Sequence, residues 1–199
     1  MKQRKMHLAA AAISLLMTVF ASGLAFAGPA TDVVKTKQTA LFELLKDSAA
    51  NQKKVSSIFD EMLDYPALAE ASLGSEWAGR TDAEKAEFSE LLKQLVRKAY
   101  EKNLKKTLNF DIEYVAEEAK GEAVVVKTKA VSKTNKREEP IEISFKMAQK
   151  EGVWRVVDII TEEVSLVSSY RSQFTKIIKK DGFPKLITKM KDKIAKGDV

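Results

Sequence analysis

Apolar residues recur along this chain with two different periods, and the switches between them divide it into helices, then strands, then helices again. From Thr31 to Leu45 the positions Val33, Val34, Leu41, Leu44 and Leu45 have the spacing of an amphipathic helix. Lys53 to Leu63 repeats it, with Val55, Ile58, Phe59, Met62 and Leu63 on one face. Pro66 suits the first turn of a further helix through Leu73, which Gly74 ends. Thr81 followed by Glu84 is a capping-box pattern opening a long helix to about Leu108. Its buried stripe is Phe88, Leu91, Leu92, Leu95, Val96, Ala99 and Tyr100.

At Asn109 the period falls to two. Phe110, Ile112 and Tyr114 alternate with charges up to a turn at Gly121, and Val124, Val126, Thr128 and Ala130 then share a face while Lys127 and Lys129 point away. After a polar loop from Ser132 to Glu139, Ile141, Ile143, Phe145 and Met147 alternate with polar residues. Lys150-Glu151-Gly152 connects tightly into Val153 to Ile160. Beyond Asp158 the helical period returns in Val164, Leu166, Val167, Tyr170, Phe174, Ile177 and Ile178, stopping at Asp181-Gly182. Pro184 opens a last helix through Leu186, Ile187, Met190 and Ile194. Strands joined by short loops and bracketed by helices predict an α+β fold: a curved antiparallel sheet of about four strands packed against N- and C-terminal helices.

The first 27 residues have the make-up of a secretory signal peptide. Met1-Lys2-Gln3-Arg4-Lys5 is a basic start, Leu8 to Phe26 is an uncharged apolar run, and Ala25-Phe26-Ala27 is a small-x-small cleavage site. A retained membrane anchor is the alternative, the run being near the lower limit for a spanning helix. Cleavage leaves residues 28–199 as a single domain. It also removes three basic residues and no acid, lowering the net charge from +6 to +3. That modest charge and an exported location set nucleic acid aside as a partner. With no Cys in the chain and its one His, His7, in the removed segment, Ser-His and Cys-His pairs, imidazole or thiolate zinc sites and disulfides are excluded. No cofactor is expected. The nearest catalytic constellation is a Ser-Lys pair among Ser165, Ser168, Ser169 and Ser172 with Lys176 and Lys179, but no glycine-rich nucleophile elbow accompanies it.

Two stretches carry a family resemblance. The first is Phe59-Asp60 and Ala69, then Ala71-Ser72-Leu73-Gly74-Ser75-Glu76-Trp77, Thr81 to Phe88 and Tyr100. The second is Gly152-Val153-Trp154-Arg155-Val156-Val157-Asp158-Ile159-Ile160, continuing through Val164-Ser165-Leu166-Val167 and Tyr170-Arg171-Ser172-Gln173-Phe174. Leu-Gly-x-x-Trp before a long helix and Trp-x-x-x-Asp before Val-Ser-Leu resemble the MlaC family, also called toluene-tolerance auxiliary proteins. One departure is Glu163, where the family usually has Gly just before the Val-Ser pair, which leaves the local turn geometry open.

The resemblance implies a soluble periplasmic carrier with no catalytic residue. Such a carrier shuttles glycerophospholipid between an outer-membrane lipoprotein-porin complex and an inner-membrane ABC transporter complex with its lipid-binding ring subunit, maintaining outer-membrane asymmetry. It also implies an apolar cavity for the acyl chains. The expected walls are Val124, Val126, Ile141, Ile143 and Phe145 of the sheet, facing Leu92, Val96 and Tyr100 of the long helix and Val164, Val167 and Phe174 of the next. Taken singly, each reads more readily as ordinary core than as pocket wall, because small domains fill their interiors tightly. Tyr170 and Arg171 are placed at the mouth, where Arg171 offers a forked donor to a phosphate or else is simply solvated. Asp158, beside Ile159 and Ile160, needs a hydrogen-bond or ion-pair partner if buried. Trp77 and Trp154 are expected as core anchors. The lysine-rich end from Arg171 to Lys196 is a docking surface for anionic head groups or an acidic partner, or a solvated face. Two other functions remain open: a carrier of another apolar lipid such as a hopanoid, and an exported Ser-Lys lipid hydrolase.

Overall fold

The computed structural model describes residues 28–197. The proposed signal peptide lies outside the described residues. The element order is α1 (Pro29–Leu45), α2 (Ser48–Met62), α3 (Tyr65–Leu73), a single 3-10 turn (Gly74–Glu76) and α4 (Asp82–Thr107). There follow β1 (Phe110–Lys120), β2 (Ala123–Ser132), β3 (Ile141–Lys150), β4 (Val153–Thr161), β5 (Val164–Ser165), α5 (Leu166–Asp181) and α6 (Phe183–Lys196). The strands form one antiparallel, unclosed sheet in the order β1-β2-β3-β4-β5. Bulges at Val115 of β1, between Tyr114 and Ala116, and at Val157 of β4, opposite Lys146 and Met147, bend it, which gives the sheet its curvature.

Local chemistry explains most boundaries. The capping box forms as the sequence predicts: Thr81 N donates to Glu84 Oε2 at 2.8 Å and Glu84 N donates to Thr81 Oγ1 at 3.3 Å. Helix α2 begins at Ser48, five residues before the predicted start at Lys53, because Asp47 caps it, accepting from Ala50 N at 3.4 Å. A stripe marks only the buried part of a helix, so this polar first turn left no signal.

Two features differ from the expectation. The sheet has five strands, the fifth being the two residues Val164–Ser165. Val164 therefore belongs to a strand rather than to the α5 stripe, and at 61% exposure it walls nothing. The turn that creates β5 has Glu162 at φ 49 and Glu163 at φ 64, the pair of positive angles that a two-residue type I′ hairpin requires. The β3–β4 turn has the same form with Glu151 at φ 53 and Gly152 at φ 80. Glu163 thus keeps the turn while occupying the position where its counterpart is glycine. A side chain in the left-handed region costs about 1–2 kcal/mol, of which glycine's greater chain entropy returns part. Glu163→Gly is expected to stabilise the protein by about 0.5–1 kcal/mol in urea unfolding, and a loss of stability would contradict this account of the turn.

The core lies between the inner face of the sheet and the helices. Phe88 of α4 meets Phe174 of α5 edge-on at 5.5 Å and Phe183 of α6 at 6.4 Å, so aromatic rings knit the three helices together. Asp60 of α2 clamps that helix to α4 through Arg97 and through Lys93 Nζ at 3.2 Å. Burial alone would raise its carboxyl pKa, but the hydrogen bonds and charges of Arg97 and Lys93 hold it below the usual carboxylate range. The stability from this clamp is present above the ordinary carboxylate pKa and is lost as pH falls through the depressed one. Among the described residues, no helix is long and apolar enough to cross a membrane.

Candidate functional site

A cavity of about 310 Å³ opens between the α1–α2 pair and one end of the sheet. Gln38, Leu41 and Phe42 of α1 and Phe59 and Met62 of α2, with the adjoining Leu63, form one wall. Phe110 and Ile112 of β1, Ile141, Ile143 and Phe145 of β3, and Ile159 and Thr161 of β4 form the other, with Tyr100 of α4 between them. The placement follows from register. β1 and β3 begin where β4 ends: Ile112 pairs with Ala130, Ala130 with Ile141, and Ile143 with Thr161. Inward-facing large residues of the outer strands thus flank small Ala130 on the strand between them. Protein interiors rarely contain voids larger than a water molecule, whereas this space is about twice an engineered apolar cavity of about 150 Å³ that stays dry and takes up benzene.

The lining is almost wholly hydrocarbon, and its polar groups are few. Gln38 is 8% exposed, and its Oε1 accepts from the Tyr114 hydroxyl at 2.7 Å, which satisfies the amide oxygen away from water. Burial pushes the Tyr114 hydroxyl up to about 12. Because the folded state holds this proton more tightly than the unfolded chain, the bond's contribution is complete below pH about 10 and is lost as pH rises through about 12. Tyr114→Phe is expected to remove one late tyrosine ionisation from an ultraviolet pH titration. By leaving the Gln38 carbonyl without its partner it should also cost about 1–3 kcal/mol in stability. An unchanged titration would contradict the assignment. Burial, with Tyr170 and Asp158 adding to it, likewise raises the Tyr100 hydroxyl far above the usual phenol range.

Of the residues expected in the pocket, the structure brings Tyr100, Ile141, Ile143 and Phe145 to this cavity. Leu92, Val96, Val126, Val167 and Phe174 are buried in the solid core beside it, and Val124 is packed partly buried against that core. Tyr170 stacks on Phe174 at 5.2 Å instead of standing at the cavity wall. Arg171 lies across Gly74, its Nε donating to the Ala71 carbonyl at 2.8 Å, so it closes the end of α3 and does not line the cavity. Gly74, at φ 57, is needed there twice over, since a Cβ would also meet the Arg171 side chain at 3.1 Å.

Sequence reasoning missed the α1–α2 wall and the β1 and β4 contributions. The alternation of Phe110 with Ile112 was a usable signal, since antiparallel pairing through one intervening strand must bring them to the same face as Ile141 and Ile143.

Two of the serines considered for catalysis have structural duties. Ser165 caps α5, accepting from Ser168 N at 3.0 Å while its hydroxyl donates to Asp158 Oδ2 at 2.6 Å. Ser169 Oγ donates to the Ser165 carbonyl at 2.8 Å. Lys176 and Lys179 are exposed, so neither has the desolvation that such a base needs.

These features define an α+β protein whose curved sheet and helices flank an apolar cavity, with no paired reactive groups among the described residues of its wall. The family model described as MlaC protein matches residues 30–192, and the chain belongs to the MlaC family. Its fold is similar to that of a phospholipid-binding protein from Ralstonia solanacearum solved in complex with a phospholipid, with a TM-score of 0.73 and 21% sequence identity. That likeness covers 86% of this chain and 100% of the other. No curated protein sequence matches the chain significantly.

Proposed function

We propose that this protein is a soluble periplasmic carrier that shelters the acyl chains of a glycerophospholipid in the cavity. The observation that carries the reading is the lining, in which, among the described residues, eleven apolar side chains and Tyr100 surround a space with only Gln38 and Thr161 as further polar contributors. Leaving about 310 Å³ of apolar space unfilled costs on the order of 7 kcal/mol, comparable to the whole stability of many domains. A hydrocarbon ligand removes that cost. The ligand gains too, because two acyl chains carry about 30 methylenes, whose exposure to water costs on the order of 20 kcal/mol. A carrier that matches the bilayer as an apolar solvent loads near balance and releases readily.

Membership of the family and the phospholipid in the structural neighbour support this choice of ligand. On this reading the protein exchanges lipid between an outer-membrane lipoprotein-porin complex and the ring subunit of an inner-membrane ABC transporter, so direction comes from those partners. Residues 1–27 direct export and are removed, and residues 28–199 act as one domain. Two experiments test the proposal. Delipidated protein incubated with vesicles of fluorescent phospholipid should emerge from size exclusion carrying the label, and failure to acquire any would overturn it. The N-terminus of protein recovered from the periplasmic fraction should be Gly28, and a retained Met1 would overturn the export route.

A further inference from the structure

The positive charge of residues 28–199 is confined to one segment. Residues 28–175 hold 23 basic against 25 acidic side chains, whereas residues 176–196 hold eight lysines and two aspartates. Packing turns this segment into a surface. Phe183, Leu186, Ile187 and Met190 are buried against α4 and α5, which leaves the lysines of α6 on its outer side. Lys189 pairs with Asp181 at 3.3 Å and Lys191 with Glu87 at 2.6 Å. Lys185, Lys193 and Lys196 are exposed and make no ion pair with a described residue, as are Lys176, Lys179 and Lys180 in the last turns of α5.

The direction of α6 relates this surface to the cavity. Phe183 at its start lies against Phe88, and the Ile194 carbonyl near its end accepts from Lys98 Nζ at 2.8 Å. Helix α6 therefore runs alongside α4 in the same sense, toward the end where Tyr100 and then Phe110 and Ile112 line the cavity.

We propose that the outer face of α6 docks the protein on an anionic lipid surface, holding the cavity end close to the bilayer. Three observations select a lipid surface over an acidic protein. The segment uses lysine only, and lysine is depleted in protein interfaces, where arginine supplies forked hydrogen bonds. A run of lysines is instead drawn additively to anionic head groups. The 14 residues of α6 span about 20 Å, more than twice the screening length of about 8 Å at physiological salt, so the charges act on several head groups independently. Finally, the exposed large hydrophobic residues, Val115, Val153 and Val164, all lie outside α5 and α6, so docking is electrostatic and does not insert side chains into the bilayer. The inference does not depend on the carrier reading, because the lysines touch no part of the cavity.

The test is flotation of the protein with vesicles of phosphatidylcholine alone and with added phosphatidylglycerol, at low and high salt. Binding is expected only with phosphatidylglycerol and is expected to vanish at high salt. Replacing Lys185, Lys193 and Lys196 by Gln should weaken it about a hundredfold. Replacing Lys53, Lys54 and Lys120, which changes the net charge equally on other elements, should change it less than about threefold. Equal binding to both vesicles, or a triple α6 variant that binds like the parent, overturns the proposal. So does capture by soluble polyglutamate without any vesicle binding, which assigns the face to an acidic protein. The comparison of the two vesicles uses the unaltered protein, so it decides the matter even if a variant misfolds. Lipid carried by the triple variant should equal that of the parent. A protein that docks but never carries lipid would sink the carrier reading and leave the docking surface standing.

Discussion

Ile143→Trp is expected to abolish lipid carriage while leaving a folded protein. Ile143 lies on β3 between Thr128 of β2 and Thr161 of β4, and its side chain enters the cavity with Ile141 and Phe145 on the same face of the strand. An indole there extends into existing space, unlike the same change at a filled core position such as Met147, where overpacking costs about 1–3 kcal/mol. The space it takes is the space that acyl methylenes would occupy, each contributing about 0.8 kcal/mol when withdrawn from water. Loss of contact with only four methylenes lowers affinity by about 3 kcal/mol, more than a hundredfold. Ile143→Val, which enlarges the cavity by one methyl group, should retain lipid at a stability cost of about 0.5–1.5 kcal/mol. Uptake of labelled phospholipid, read beside thermal unfolding, separates the outcomes. A Trp variant that folds and carries lipid like the parent would place the ligand elsewhere.

Asp158→Ala should be among the most damaging single changes away from the cavity, costing about 3 kcal/mol in urea unfolding. Its Oδ1 accepts from Ile159 N at 2.8 Å and from Val167 N at 3.1 Å, and its Oδ2 accepts from Ser165 Oγ at 2.6 Å. One carboxylate thus ties β4 to the start of α5, where a helix presents unpaired N–H groups and the positive end of its dipole. Alanine leaves the N–H groups without an acceptor, whereas Asp158→Asn keeps an oxygen for one side of the junction and should cost about half as much. Equal stability of Ala and parent proteins would mean that the junction is held by packing alone.

The parts of this molecule that sequence reveals are those with a repeating or local cause. The α4 stripe and the Thr81–Glu84 box are local, and the strand alternation of β1 to β4 is periodic, so each could be read from neighbours in the chain. The need of Asp158 for partners was also legible from its apolar setting, although Ser165 and the Val167 amide could not be named without the fold. Arg171 shows the opposite case. An arginine beside a tyrosine looks like a phosphate donor, yet it crosses to Gly74 and the Ala71 carbonyl, 100 residues away in sequence. That contact joins Leu73-Gly74-Ser75-Glu76-Trp77 to Tyr170-Arg171-Ser172 in space, something neither stretch displays alone.

The cavity was half legible for a related reason. Leu92, Val96 and Phe174 have the same apolar signature as Ile143 and Phe145, because a filled core and a ligand cavity differ in volume, which side-chain type does not encode. What distinguishes the two ends is tertiary. Phe88, Phe174 and Phe183 fill the space among α4, α5 and α6, while α1 and α2 span the other end of the sheet without filling it.

Native mass spectrometry of the protein recovered from the periplasm without detergent, followed by extraction and identification of the ligand, tests the central claim most directly. The account predicts a stoichiometric diacyl phospholipid that is absent from Ile143→Trp. A polycyclic lipid in its place would contradict the choice of ligand. A protein that comes out empty and takes up no phospholipid from vesicles would contradict the claim that this cavity serves acyl chains at all.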